Sequence, residues 1–293
     1  MTFLDYLVLV VYFLAMIVIG AICARWIKKQ EDYFMGGRGF GKLLQTFAAF
    51  GAGTGSNDPI QVGRTTWTSG LSGIWSVLLW LFATPFYWIC AVWYRRMRLL
   101  TLGDWFVERY ESKSLGAAYT VFGISFYVFY LSAMFSAISK VLAPMLQVEA
   151  GVPVPWSAAP IELKWLLIPT IAFVVITYSV LGGLRAAYWT DLIQGLCIIF
   201  LSIILIPVGL NALAQDSVEA GNREAATVSV YDGFEVLHER LTPEYFQIVG
   251  GPAAGEFPLH FVLSLIVLVI VGIVVQPHFI ATGGGSAKTE NSA

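Results

Sequence analysis

The sequence predicts an all-α, polytopic membrane protein with about seven transmembrane helices. Three observations carry this. Of 293 residues, 57% are hydrophobic and only 12% charged, against roughly 45–50% and 25% in a soluble domain. The apolar residues come in continuous runs, such as Leu78–Ala83 and Phe261–Val275, not in the alternation of a membrane β-barrel. The 17 lysines and arginines divide unequally between alternate loops, as membrane topology requires. An ordinary soluble enzyme and a disordered chain are both excluded. A net charge of −2 gives no reason to expect a nucleic acid partner.

A helix needs about 20 apolar residues to cross the hydrocarbon core. The stretches that qualify are roughly 4–26, 43–63, 72–94, 115–143, 164–181, 188–210 and 258–277. The first has no basic residue before it and ends at Arg25, Lys28 and Lys29. A cleavable signal peptide carries its charges at the other end, so we read a retained first span with its N-terminus outside. Twelve basic residues then fall on the cytoplasmic side, including Arg95, Arg96, Arg98, Arg109, Lys113 and Arg185, and five on the other. The C-terminus is expected inside, in a plasma (inner) membrane. The outer loop of about 211–257 holds eight acids and two arginines and reads as a solvated, partly ordered cap. Gly182 and Gly183 mark a tight cytoplasmic turn between the fifth and sixth spans. Cys23, Cys90 and Cys197 lack any metal-ligand or CxxC spacing and read as small apolar residues.

The second span is the informative one. Between Phe47 and Gly63 the flanks are apolar, but the centre is built of Gly51, Gly53, Thr54, Gly55, Ser56, Asn57, Asp58 and Pro59. Pro59 donates no backbone hydrogen bond, and the alternate glycines weaken a helix. The expectation is two half-helices joined by unwound backbone, tolerated at membrane depth only where it is buried in protein or lines a cavity. Freed carbonyls there are hard oxygen ligands for a small cation. Asp58 is costly in lipid and should face a cavity or a partner. A re-entrant or extramembrane Gly-rich loop is the plainer alternative.

Asp191 stands three residues into the sixth span, with Gln194 one turn on. From spacing alone it either holds or releases a cation, or it caps the helix start after Thr190 or pairs with nearby Arg185. Arg64 and Trp67 read as markers of the outer interface. Pro277 is placed to break the seventh span as Pro59 breaks the second. There is no HExxH, GxSxG or CxxC, so no enzyme is expected. His238, His260 and His278 are too scattered for a metal motif.

Four segments carry a resemblance. The run DYFMGGR at Asp32–Arg38, the broken helix and Gly-Leu turn at Gly51–Leu71, TLGDWFVERY at Thr101–Tyr110, and YSVLGGLRAAYWTDLIQ at Tyr178–Gln194 are similar to the signatures of the sodium:solute symporter family, in its order and spacing. That family includes sodium–glucose and sodium–proline transporters. The resemblance implies the leucine-transporter fold, two five-helix inverted repeats, here preceded by an extra N-terminal helix. It implies one transmembrane domain over 1–293, with the first repeat at about 43–210 and the start of the second at about 258–293. Backbone carbonyls near Gly51 and Thr54 would face sodium, and no other cofactor is implied. Asn57, Asp58, Gln61 and Gln276 would face the solute cavity, and Asp191 would lie on the ion's path.

Gly-Ser-Asn-Asp-Pro replaces the family's usual Ser-Ala pattern, which leaves the solute open. No further repeat helices follow the seventh span, so we read the chain as the N-terminal portion of a carrier, with 283–293 a cytoplasmic loop. The expected function is sodium-coupled symport of a small organic solute across the bilayer. The alternatives are a seven-span receptor or photoreceptor, or a transporter fragment that needs a partner chain.

Overall fold

The computed structural model describes residues 3–145, 160–219, 229–250 and 256–293. Every regular element among them is helical; one isolated bridge pairs Phe40 with Ala287. In order they are α1 (Phe3–Ala24), α2 (Gln30–Met35), α3 (Lys42–Gly53), α4 (Asp58–Ser69), α5 (Trp75–Leu78), α6 (Thr84–Met97), α7 (Leu102–Tyr110), α8 (Lys113–Met145), α9 (Lys164–Glu219), α10 (Val230–Arg240) and α11 (Leu259–Val275). Among the described residues, four stretches are long and apolar enough to cross a membrane, namely Tyr6–Ala24, Asp58–Met97, Lys113–Leu142 and Lys164–Glu219. Their large apolar side chains are widely exposed, Phe200 at 67% and Phe129 at 77% for example. Such surfaces suit lipid and not water.

α9 has 56 residues, which at 1.5 Å each would be about 84 Å, far beyond a hydrocarbon core of about 30 Å. It is interrupted once. Gly183 has φ 54° and ψ −154°, a conformation closed to side-chain-bearing residues, and a Cβ there would lie 2.7 Å from Tyr33 O. The turn read at Gly182 and Gly183 is therefore real, and helix resumes at once instead of near residue 188. The stretch read as a span over 72–94 is less regular. It begins with 3₁₀ turns at Gly70–Ile74 and Leu79–Ala83 around the short α5, and becomes α-helical only from Thr84. Pro85 then sits in the first turn of α6, where its missing N–H costs no helical bond.

Two compact bodies are distinguished. The first comprises Met1–Ile60, Ala83–Leu192 and Ile270–Ala293. Its core is Phe40, Ala48 and Tyr188, flanked by Leu44 and Leu184. α7 starts with a reciprocal cap, Thr101 Oγ1 accepting from Asp104 N and Asp104 Oδ2 from Thr101 N. The segment expected to be a cytoplasmic loop, 283–293, is not loose. A π-helical turn at Ala281–Gly285 is buried against α6, and Lys288 N donates to Phe40 O at 2.9 Å.

The second body comprises Gln61–Phe82 and Ile193–Val269. Within the segment read as an outer loop, α9 runs on to Glu219, α10 follows, and a 3₁₀ turn covers Pro243–Phe246. Glu256 accepts from Ser69 Oγ at 2.5 Å and Thr68 Oγ1 at 2.8 Å. Arg64 pairs with Glu256 at 3.6 Å, and Trp75 Nε1 donates to Ile248 O at 2.7 Å.

Candidate functional site: two helix breaks

The expected break lies at residues 54–57, between α3 and α4. Thr54 is extended, with φ −117° and ψ 116°. Its N–H donates to Gly51 O at 3.3 Å and its hydroxyl to Phe50 O at 2.8 Å. A carbonyl oxygen has two lone pairs, so Gly51 O keeps capacity for a further donor or a cation. Asp58 was expected to face a cavity or a partner. Its carboxylate accepts from Gly55 N at 2.7 Å while its own N–H donates to Gly55 O at 3.1 Å. Asp58 opens α4, with Pro59 in the first turn, so a negative charge stands at the positive end of the helix dipole. The proline starts the second half-helix; the unwinding belongs to the four residues before Asp58.

α8 forms one wall of this break. Ser56 Oγ donates to Met134 O at 3.0 Å. A Cβ at Gly55 would lie 2.7 Å from Met134 Sδ and 3.7 Å from Tyr130 OH. α9 forms another. A Cβ at Gly51 would lie 2.6 Å from Asp191 Cγ, so the carboxylate of Asp191 rests directly on the α3 backbone. Gly51 and Asp191, 140 positions apart, are thus brought together. Asn57 is half-buried, and Gln61 is exposed on the second body.

A second break follows α11. Val275 O, at the helix end, accepts from Tyr119 OH at 2.6 Å, and Tyr127 OH lies 2.9 Å from His278 Nδ1. Between them Pro277 fits against Gly123, as expected of a breaking proline, and Gln276 is half-buried. A cavity of about 470 Å³ opens here, lined by one face of α8 (Tyr119, Gly123, Tyr127, Leu131), the start of α7 and Pro277. Asn57, Asp58 and Gln276 do not line it. Its Tyr and Thr hydroxyls are spoken for by Val275 O, His278, Asp104 and Gly116 O, so the surface it presents is apolar.

The sequence reading missed a buried polar knot in the first body. Tyr188 is wholly buried, its ring tilted by 35° against that of Phe40 with centroids 4.3 Å apart. Its hydroxyl lies 2.7 Å from Ser286 Oγ and 3.1 Å from Ala281 O. Gln45 Nε2 donates to Thr282 O at 2.6 Å, and Ser286 Oγ donates to Gln45 Oε1 at 3.2 Å. Arg38, 4% exposed at its side chain, pairs with Glu31 at 2.6 Å and donates to Gly285 O at 2.7 Å and Leu99 O at 3.2 Å. A lone Gln in the apolar run at Leu43–Phe47 was the available signal, because an amide at membrane depth requires partners.

The family model described as "Sodium:solute symporter family" matches residues 33–283. The chain belongs to the sodium:solute symporter family. That is a family of transporters, not of enzymes. This symporter-family chain is 28% identical over 207 residues to the osmoregulated proline transporter OpuE of Bacillus subtilis, covering 68% of the chain and 39% of OpuE. It is 24% identical over 244 residues to a sodium/proline symporter of Haemophilus influenzae, covering 80% of the chain and 45% of the relative. It is 25% identical over 202 residues to the sodium/sialic acid symporter SiaT of Proteus mirabilis, covering 66% and 36%. The chain spans less than half the length of these curated relatives. Its fold is similar to that of a solved Na+-coupled sialic acid symporter in a substrate-bound outward-open state, with a TM-score of 0.60 at 16% identity, covering 97% of this chain and 61% of that one. An all-α, multi-span membrane fold of this superfamily is thereby established.

Proposed function

We propose that this chain carries the first repeat, and the start of the second, of a sodium-coupled symporter for a small organic solute. It would work by alternating access in the plasma membrane. The observation that carries the reading is Asp191 seated on Gly51 beside the α3–α4 break. A carboxylate in lipid marks an ion or proton path by default, and here it meets unwound backbone whose carbonyls are hard ligands. Sodium is accordingly assigned to the carbonyls of Gly51 and Thr54, with Asp191 on its path. Asn57, Asp58 and Gln276 are assigned to the solute cavity. Gln61, three residues after Asp58 along α4, extends the same polar face. Asp58 holds the break together at Gly55 in the present geometry, so its role toward solute begins with shaping that backbone.

Seven spans are counted by splitting α9 at Gly183 and by treating α3–α4 as one broken crossing and α5–α6 as the next. The N-terminus is outside and the C-terminus inside. The relatives' names nominate proline and sialic acid as the first solutes to try. The test is uptake of either labelled solute into vesicles under an inward sodium gradient, against choline. Asp191→Ala is expected to lower sodium-driven uptake at least about tenfold, the scale of a lost ligand or its support. Unchanged uptake and unchanged sodium dependence in that variant would remove Asp191 from the ion path.

A further inference from the structure

The cavity of about 470 Å³ beside α8 belongs to neither the ion nor the solute assignment. It follows α8 from Tyr119 to Leu131, a rise of about 18 Å at 1.5 Å per residue. One leaflet of hydrocarbon is about 15 Å deep, so the two lengths correspond. The outer wall is open: Ile124, Val128 and Leu131 are 62%, 58% and 48% exposed. The hydroxyls that line it are bonded elsewhere, so the slot suits hydrocarbon and not a polar solute.

The slot begins at Leu100 and Thr101, directly after the basic end of α6. Arg98, two residues before Leu100, is exposed and has no hydrogen-bond or ion-pair partner among the described residues. Its φ is 58°, a conformation that helix ends usually give to glycine or asparagine, so an arginine stands here against backbone preference. Arg95 gives one N–H to Lys288 O at 3.0 Å, and its Nε is buried with no partner among the described residues. Arg38 and Arg98 are near enough for their charges to act on Arg95. The acids nearby are already engaged. Glu31 pairs with Arg38, Glu290 pairs with Arg96, and Asp104 caps α7 through Thr101. Arg95 and Arg98 therefore lack an anion.

We propose that an anionic phospholipid binds here, with its phosphate at Arg95 and Arg98 and one acyl chain in the slot along α8. The proposal is independent of solute and coupling ion and needs only the membrane-spanning fold. Charge decides the occupant. A further helix of a longer carrier could cover Ile124 and Val128, but it would leave the two arginines without a counter-charge. A zwitterionic lipid brings a cation of its own, which the arginines repel. An anionic lipid satisfies both the slot and its mouth. Basic pockets beside membrane helices take such headgroups on the cytoplasmic side, where the topology proposed above puts the end of α6.

The experiment uses the full chain in vesicles of equal parts dioleoylphosphatidylglycerol and dioleoylphosphatidylcholine. Val128→Cys, in the slot, carries a benzophenone attached through a maleimide. Phe129→Cys, 77% exposed on α8 and outside the slot, carries the same group as a control. The background is Cys197→Ser, because Cys197 is exposed while Cys23 and Cys90 are buried. After illumination the adducts are identified by mass. At position 128 the phosphatidylglycerol adduct is expected to exceed the phosphatidylcholine adduct by about fivefold or more, the scale of one basic residue acting on an anionic headgroup. At position 129 the two lipids should be captured equally. Arg98→Gln should remove most of the excess at 128, and Arg98→Lys, which restores the charge, should keep it. Both replace an exposed side chain, and the conservative variant guards against a folding defect.

Equal capture of the two lipids at position 128 overturns the proposal. The same phosphatidylglycerol excess at positions 128 and 129 overturns it too, because the attraction would then be a diffuse one to the basic surface. An excess that survives Arg98→Gln removes Arg98 from the headgroup site. An adduct with polypeptide in place of lipid gives the slot to a protein helix.

Discussion

At Gly51 a missing side chain is what admits Asp191. A methyl group there would stand 2.6 Å from Asp191 Cγ and 2.9 Å from Oδ1, closer than non-bonded carbon atoms approach. Two effects compete in Gly51→Ala. Helix propensity would gain about 1 kcal/mol, while forcing the contact apart costs about 1–3 kcal/mol. The clash should win, giving a net loss of up to about 2 kcal/mol in chemical unfolding in detergent, with weaker sodium dependence of uptake. A stability gain would show that Asp191 yields freely. Little of this was legible beforehand. The glycines of the break were conspicuous because four polar residues crowd beside them in an apolar span. That Gly51, and not Gly53, meets Asp191 depends on helix rotation, which hydropathy does not encode. Asp58 was read correctly as needing a partner, but the partner is the backbone of its own break, a contact three residues away that composition cannot distinguish from a cavity.

Among elements, α4 shows how the end of a half-helix is anchored. Its last turn offers Thr68 and Ser69 hydroxyls to Glu256. Those hydroxyls, Ser69 first and then Thr68, hold the Glu256 carboxyl below the usual carboxylate range, and Arg64 adds to this. A group whose value is lowered on folding stabilises the fold above its unfolded value, about 4.3 for Glu, and loses that contribution as pH falls through the lowered one. The attachment of Glu256 to α4 should therefore hold at neutral pH and loosen under acid. The effect stays under about 1 kcal/mol, because the pair remains in contact with water. Protease nicking of the outer loop, followed from pH 7 to about 3, checks it; Glu256→Gln should flatten the acid-side rise. Arg64 was read as an interface marker; what the structure gives it is this carboxylate as its partner. The irregular start of the stretch read as a span over 72–94 could not be read at all, since 3₁₀ and α-helix share a hydropathy and differ only in which carbonyl each N–H selects.

Across the whole molecule, the distribution of lysine and arginine makes a directional claim. Lys113→Cys, at the start of α8, should react with an impermeant thiol reagent from the cytoplasmic face, and Tyr231→Cys, 80% exposed on α10, from the outer face. Both use the Cys197→Ser background, and reversed labelling would invert the topology. The all-α class and the family were legible because they rest on runs and motifs contiguous in the chain. The buried knot was not, since Gln45 and Ser286 lie 241 positions apart and no local pattern links them.

α8 has a mechanical consequence of its own. It runs 33 residues, about 50 Å of rod. Tyr119, Gly123 and Tyr127 bear on the break after α11, and Tyr130 and Met134 bear on the break after α3. Both breaks are thus mounted on one stiff member, with their nearest attachments three residues, or about 4.5 Å, apart along its axis. On the reading proposed above, a solute that displaces one break loads the rod and strains the other. Slippage, meaning passage of the ion without its solute, is then resisted by the stiffness of α8.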